Sequence, residues 1–573
     1  MLEKLTFKFG SKGLSNHLSF EPTRVNLFIG PNNSGKSKAI SEIESFINHG
    51  RITQDFVIFN KINFTIPSIS EFIKTLNKYS ISNSEIDERY TDLLRIEKIK
   101  LPSNNLETKN INVGHITLNL EILNSNSDIT QSFAANYASL FSLFIAGNTR
   151  FDLLASNPTG TLQDKPKNYM SAVFQDDNLR DEIRQTIYNA FKKYLYLDPT
   201  TNLGQLYIKF SDEPPPSDII ERGIHKQAVD FHKKGILIDK FSDGVKAFTS
   251  IVMSVKAIRP NVLIIDEPEA FLHPSLADML GKEIGTTLIK NNMQFYAATH
   301  SSDFLMGLVA SGVQINLIRL TYLNEFPTAR ILPKEKIVKL MRDPLLRSAG
   351  VLKGLFYEAV IVTEADTDRA FYQEINERLL TFKSMWGIKN CLFLNAQNKQ
   401  TVYRIIKPLR ELGIPAIGIV DIDVLKEGGK VWRNLTSGAF IPPAVSDSLN
   451  GIRGDLKNKY DEIKSNDDKD MKRDGGVKLL SGNDKNAFND FCDQLQDYGI
   501  FVIRNGELES WLENLEISGH GPDWLVKMFE QLKEDPNDID YVKPSENDVW
   551  KFISQIKKWI DNPERKGVPN EDY

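Results

Sequence analysis

The stretch VNLFIGPNNSGKSKAISEI (25–43) constrains this chain more than any other. A short apolar run feeds into Gly30-Pro31-Asn32-Asn33-Ser34-Gly35-Lys36-Ser37 and then into a helical pattern. G-x-x-x-x-G-K-[ST] between a strand and a helix is a phosphate cradle. Its glycines let backbone N–H groups turn inward, and the helix N-terminus adds its positive dipole end. Gly30, Asn32, Asn33, Ser34 and Gly35 are the cradle, Lys36 is placed to reach the β- and γ-phosphates, and Ser37 to ligate Mg²⁺. A chance Gly-rich turn would lack the flanking strand and helix, so an α/β fold is predicted.

Far downstream, NVLIIDEPEAFLHP (261–274) is an apolar strand ending in Asp266-Glu267. An acid at a strand end beside the loop can hold the Mg²⁺ through its water shell, and a following Glu can polarise attacking water. FSDGVKAFTSIV (241–252) sets Ser242 and Gly244 at a helix start, an anion-binding geometry. QFYAATHSSDF (294–304) is a further strand, running out to His300.

In this order the pieces resemble ABC-type ATPases: P-loop, an SDG variant of the signature, Walker B with a trailing Glu, an LHP turn and a switch histidine. The resemblance implies that Glu267 and His300 serve hydrolysis. It also implies that Ser242 and Gly244 contact ATP bound by another protomer, so that a homo-oligomer, a dimer or higher, forms through the ATPase heads. Asp243 stands where the signature usually has a second Gly.

A second set of signals begins at AVIVTEADTDRAFY (359–372), a buried strand ending in acid, with Glu364 followed one helical turn later by Asp368. IPAIGIVDIDVL (414–425) is another buried strand, ending in Asp421-Ile422-Asp423. Residues i and i+2 on an extended segment face the same way, so both Asp side chains can meet one ion. Hard oxygen donors at adjacent strand ends suit Mg²⁺ or Mn²⁺ rather than zinc, and strand carboxyl ends are where open parallel sheets bind ligands. A single such acid is more often a cap or a solubilising residue. Asp366 is assigned to helix capping.

Glu-x3-Asp after one strand and Asp-x-Asp after the next resemble a Toprim domain. An ABC-type ATPase followed by Toprim resembles the OLD (overcoming lysogenization defect) nuclease family, some of whose members, Gabija-type and retron-associated proteins among them, act in bacterial defence against phage. The resemblance implies an ATP-binding, Mg²⁺- or Mn²⁺-dependent DNA endonuclease that works with a defence partner protein or RNA. Within it, YGIFVIRNGELESWL (498–512) supplies Glu507 and Glu509 as ligands of a second metal, and Lys543 stands at the catalytic lysine. Ala365 replaces the Gly that usually follows the first Glu, and LNAQNKQTV (394–402) replaces a Gly-containing segment. These departures leave room for the rival reading, an ATP-driven sensor or scaffold whose Toprim-like domain binds without cutting. An SMC-like tether would need a long coiled coil, and no sustained heptad pattern is visible.

The expected organisation is an ABC-type ATPase domain over 1–330 with a Ser/Asn-rich variable insertion near 75–175, a helical or dimerisation segment. A connector over 331–357 follows, then a Rossmann-like Toprim domain over 358–573 with a helical insertion near 426–495. Within that insertion, GGKVWRNLTSG (428–438) and SNDDKDMKRDGG (465–476) read as exposed loops. A net charge of −5 gives no global basic field, so DNA must be met by a local patch or through metal. Cys391 and Cys492 match no metal spacing and fit a reducing compartment. The longest mostly apolar run, YASLFSLFIAG (137–147), is too short to span a bilayer and is read as a core helix. A cytoplasmic, membrane-free protein is expected.

Overall fold

The computed structural model describes residues 1–65, 67–79, 93–99, 106–112, 138–147, 149–163, 165–166, 168–323 and 325–569. The chain divides into two compact units, Met1–Ile29 with Gly35–Leu320, and Gly30–Ser34 with Thr321–Tyr573. Among the described residues, no helix is long and apolar enough to cross a membrane.

In the first unit, β1 (Val25–Ile29), β2 (Ser142–Ile145), β3 (Val262–Asp266), β4 (Gln294–Ala298) and β5 (Ile315–Leu323) lie in the order β5-β1-β4-β3-β2. Every pairing in this run is parallel. Strands β1 and β4 are buried along their whole length, which is why they read as unbroken apolar runs instead of alternating ones. Parallel pairing puts all carboxyl ends on one edge. There β1 turns into helix α1 (Lys36–His49), and α2 (Asp243–Ile258) and α3 (Pro274–Asn291) flank β3 in sequence.

The expected core helix at 137–147 is not formed. Ala138–Phe141 is a 3₁₀ turn and Ser142–Ile145 is β2, paired with β3 in register Val262 to Ser142; residue 137 lies outside the described residues. Its four strand positions alternate in burial, and an apolar run this short does not distinguish strand from helix by periodicity. Much of the 75–175 segment, including 80–92, 100–105 and 113–137, lies outside the described residues, and the dimerisation expectation with it. What is described includes a hairpin pairing Leu93–Ile99 with Leu106–Asn112.

The second unit holds β6 (Ala359–Thr363), β7 (Cys391–Asn395), β8 (Ala416–Asp421) and β9 (Ile500–Ile503) in the order β7-β6-β8-β9, again all parallel. Helix α4 (Asp366–Phe382) follows β6 directly and lays Phe371, Tyr372, Ile375 and Leu379 into a core shared with Trp511, Trp524 and Trp550. The buried Trp511 Nε1–H donates to the Tyr372 hydroxyl at 2.8 Å, so this aromatic core leaves neither polar tip unmatched.

Between β8 and β9 come α5 (Gly429–Gly438), α6 (Pro443–Asp467) and α7 (Gly482–Asp497). GGKVWRNLTSG is therefore a helix and not an exposed loop: Trp432, Leu435 and Thr436 are buried on one face, at i, i+3 and i+4. The turn after α6 is only partly solvated, since Met471 is 3% exposed. The two cysteines are free, Cys492 buried and Cys391 partly so.

Candidate functional site

The nucleotide-type loop takes the backbone its glycines permit. Gly30, Asn33 and Gly35 all have positive φ, at 140°, 60° and 92°, and Gly35 is the N-cap of α1. Ser34 and Lys36 are buried, and burial pushes the Lys36 ammonium down to about 8 against the pull of Glu267, Asp266 and Glu269. The Ser37 hydroxyl donates to Asp266 Oδ1 at 3.2 Å, joining the loop's helix to the end of β3.

One residue on, Glu267 has φ 48° and stands 3.9 Å from His300 Nε2 through Oε1. The partly buried Glu269 accepts the His300 backbone N–H at 2.7 Å, and desolvation raises its pKa. So Lys36, Ser37, Asp266, Glu267 and His300 converge at one sheet edge. Ser242 is the N-cap of α2, and Gly244 in its first turn sits where an added Cβ would be 2.8 Å from the Phe271 carbonyl. That packing explains why a glycine stands there.

Arg150 was not singled out by any motif. Its fully buried guanidinium donates to the carbonyls of Asp266 and Glu267, each at 3.0 Å, and of Ala270 at 3.3 Å. It braces the turn that carries both acids. Nothing in NTRF marks such a role, because its acceptors are backbone atoms more than a hundred residues away.

In the second unit, Glu364, Asp421 and Asp423 each bring a carboxylate oxygen within 4.8 Å of the others. Glu364 Oε1 accepts the Asp421 N–H at 2.9 Å. Burial, then repulsion by Asp421, pushes Glu364 up to about 8, and the same causes push Asp368 up to about 7. Asp421 rises to about 6 by burial, held lower by Lys472. Hard oxygens crowded at strand ends, resisting ionisation without a cation, fit Mg²⁺ or Mn²⁺.

Glu507, Glu509 and His520 form a second such group. His520 Nδ1 lies 2.7 Å from Glu509 Oε1, which also accepts the Gly521 N–H at 2.7 Å. A lone exposed histidine in SGHGP carries no sequence signal, so His520 was missed.

Capping of α4 differs from expectation. Ala365 is the N-cap and Asp366 the first helical residue, its carboxylate taking Arg369 Nε at 2.7 Å and Asn395 Nδ2 at 3.0 Å. Asp368 instead reaches back to the Ala365 N–H at 3.0 Å. Ala365 has φ −130°, extended backbone that alanine adopts without strain, so replacing glycine there costs no conformational energy.

Lys543 is not at the cluster. Its Nζ lies 5.7 Å from the Phe382 ring, at the far end of α4, roughly 21 Å along the helix from Asp368. A lysine that does reach the carboxylates is Lys472, 2.8 Å from Asp421 Oδ2 and 3.3 Å from Glu507 Oε2.

Comparison with known proteins gives matching assignments. Residues 159–307 match the family model "AAA domain, putative AbiEii toxin, Type IV TA system". Residues 355–423 match "Overcoming lysogenization defect protein-like, TOPRIM domain". A curated relative, "Old nuclease" of Escherichia phage P2, is 25% identical over 323 residues, covering 53% of this chain. The chain spans about half the length of that relative, 50%. Solved structures that match include the SMC head domain from Thermotoga maritima (13% identity, 58% of this chain and 99% of that one, TM-score 0.28). An SmcHead bound to the C-winged helix domain of ScpA also matches (14% identity, 59% and 99%, TM-score 0.32).

Proposed function

We propose that this chain, an ATPase–Toprim protein of the OLD type, is an ATP-hydrolysing, divalent-metal-dependent DNA endonuclease whose ATPase gates the cut, with bacterial defence against phage as its setting. The observation that carries the reading is the convergence of Glu364, Asp421 and Asp423 at the carboxyl ends of two neighbouring parallel strands.

Divalent ions bound there would polarise a phosphodiester and acidify a water molecule at neutral pH. Glu364, Asp421 and Asp423 would hold one ion; Glu507 and Glu509, joined by His520, would hold a second. Asp368 fixes the start of α4 through the Ala365 N–H. DNA is held mainly by its backbone, so affinity falls with salt.

At the nucleotide-type loop, Lys36 and Gly30–Ser34 grip ATP phosphates, Ser37 and Asp266 would hold Mg²⁺, and Glu267 with His300 orients water. Ser242 and Gly244 complete the site of a second protomer, so the active form is an oligomer.

Supercoiled plasmid incubated with the full chain and Mg²⁺ or Mn²⁺ tests the reading. Wild type is expected to nick or linearise it and Glu364→Ala to leave it intact. Equal behaviour of the two would leave a sensor or scaffold that binds without cutting.

A further inference from the structure

Lys472 belongs to neither strand that builds the acidic cluster. It lies in the turn 468–476 after the inserted helix α6, yet its ammonium stands between Asp421 and Glu507. The turn is built to hold it there. The Lys472 N–H donates to Asp470 Oδ1 at 2.9 Å, Met471 is buried, and the Val477 N–H donates to the Arg504 carbonyl at 2.9 Å. The Lys472 carbonyl packs so closely on Gly506 that an added Cβ would lie 2.1 Å from it. The Gly506 carbonyl in turn accepts the Ile422 N–H, between Asp421 and Asp423, at 3.0 Å. Inserted turn, β9 end and Asp-x-Asp segment are thus locked together through backbone.

We infer that Lys472 contacts the substrate, its Nζ donating a hydrogen bond to a non-bridging oxygen of the scissile phosphodiester, and that the inserted helical segment is part of the active site. The inference rests on the nuclease reading above. An ammonium has three donors and no acceptor, and its charge is best matched by anions. Cations held at Asp421 and at Glu507 would repel it, and the anion that then enters the site is the phosphodiester. The four-carbon stem lets Nζ follow that charge while the backbone stays pinned. Lys472 keeps 29% of its side chain exposed, enough to meet an incoming ligand.

Three full-length variants test it: Lys472→Met, which keeps the apolar stem, Lys472→Arg, which keeps the charge, and Lys543→Ala. Plasmid cleavage is measured beside calorimetric titration of Mn²⁺ into the metal-free protein. Expected is a fall of roughly 100-fold in cleavage for Lys472→Met, the scale of losing one preorganised transition-state donor. Its Mn²⁺ affinity should equal or exceed that of wild type, since a competing cation is gone. Lys472→Arg should recover part of the rate, and Lys543→Ala should match wild type. Wild-type cleavage by Lys472→Met overturns the inference and leaves the nuclease reading standing. Loss of Mn²⁺ binding together with cleavage also overturns it, marking the lysine as a strut. A wild type that cuts no faster than Glu364→Ala removes the nuclease reading and this inference with it.

Discussion

Glu364 Oε1 accepts the backbone N–H of Asp421 at 2.9 Å, so the first acid of the cluster also ties the end of β6 to the end of β8. A glutamine keeps an oxygen that can accept this bond but not the charge. Glu364→Gln is therefore expected to melt close to wild type while losing Mn²⁺ affinity and cleavage by at least roughly tenfold, the scale of one charged ligand. Glu364→Ala should lose stability as well, because the Asp421 N–H is left without its partner. Calorimetric titration and thermal melting of the two variants check this; equal melting points would mean that the bond contributes nothing to the fold.

The same cluster makes stability depend on pH. Without metal, Glu364, Asp368 and Asp421 stand at about 8, about 7 and about 6, through burial first and neighbouring carboxylates after it. The unfolded chain releases these protons near pH ~4. Between those values the folded protein binds more protons than the unfolded one, so the contribution of these groups is fully present below pH ~4 and lost as pH rises toward 8. Metal-free protein in EDTA should melt lower at pH 8 than at pH 5.5, and Mg²⁺ should narrow the gap. A Glu364→Gln, Asp368→Asn variant with an undiminished pH slope would place the dependence elsewhere.

What was legible in the sequence and what was not follows from how each signal arises. The loop Gly30–Ser37, Asp266-Glu267, Glu364 and Asp421-Ile422-Asp423 are local patterns: an apolar run, then chemistry at fixed spacing. Lys472, His520, Arg150 and Gly506 acquire their roles only when distant segments meet. SNDDKDMKRDGG was taken for exposed loop because its charges resemble solvated surface; what puts one of them inside is the backbone lock over Gly506 and Arg504, which composition does not encode. Residues 142–145 were misread because three consecutive apolar residues, Leu143–Ile145, satisfy either period. Lys543 was chosen by order along the chain, and α4 carries its ring partner, Phe382, away from the site.

In the ATPase unit, Lys36→Ala should weaken nucleotide binding by at least roughly 100-fold, as expected for losing one or two charge-assisted hydrogen bonds. Glu267→Gln should keep ATP bound and slow turnover by roughly 100-fold or more, the usual scale for a water-orienting base. Arg150→Ala should resemble Glu267→Gln rather than Lys36→Ala, because Arg150 holds the carbonyls of Asp266, Glu267 and Ala270. Nucleotide-binding titrations beside steady-state turnover separate the two patterns, and full turnover in all three variants would remove the site.

Gly506 offers the sharpest separation of the two proposed activities. Its φ is 131°, where an L side chain costs ~1–3 kcal/mol, and an added Cβ would lie 2.1 Å from the Lys472 carbonyl. Backbone cannot yield as a flexible side chain can, so Gly506→Ala must displace the 468–476 turn, or the 504–507 segment whose carbonyl holds the Ile422 N–H at 3.0 Å. Either movement pulls Lys472 away from Asp421 and Glu507. Hydrogen exchange should rise at 468–476 and 504–507, cleavage should fall at least as far as in Lys472→Met, and nucleotide binding should stay at the wild-type level. Unchanged exchange together with wild-type cleavage would show that this turn can move without consequence, and the lock between inserted segment and acidic cluster would have no functional weight.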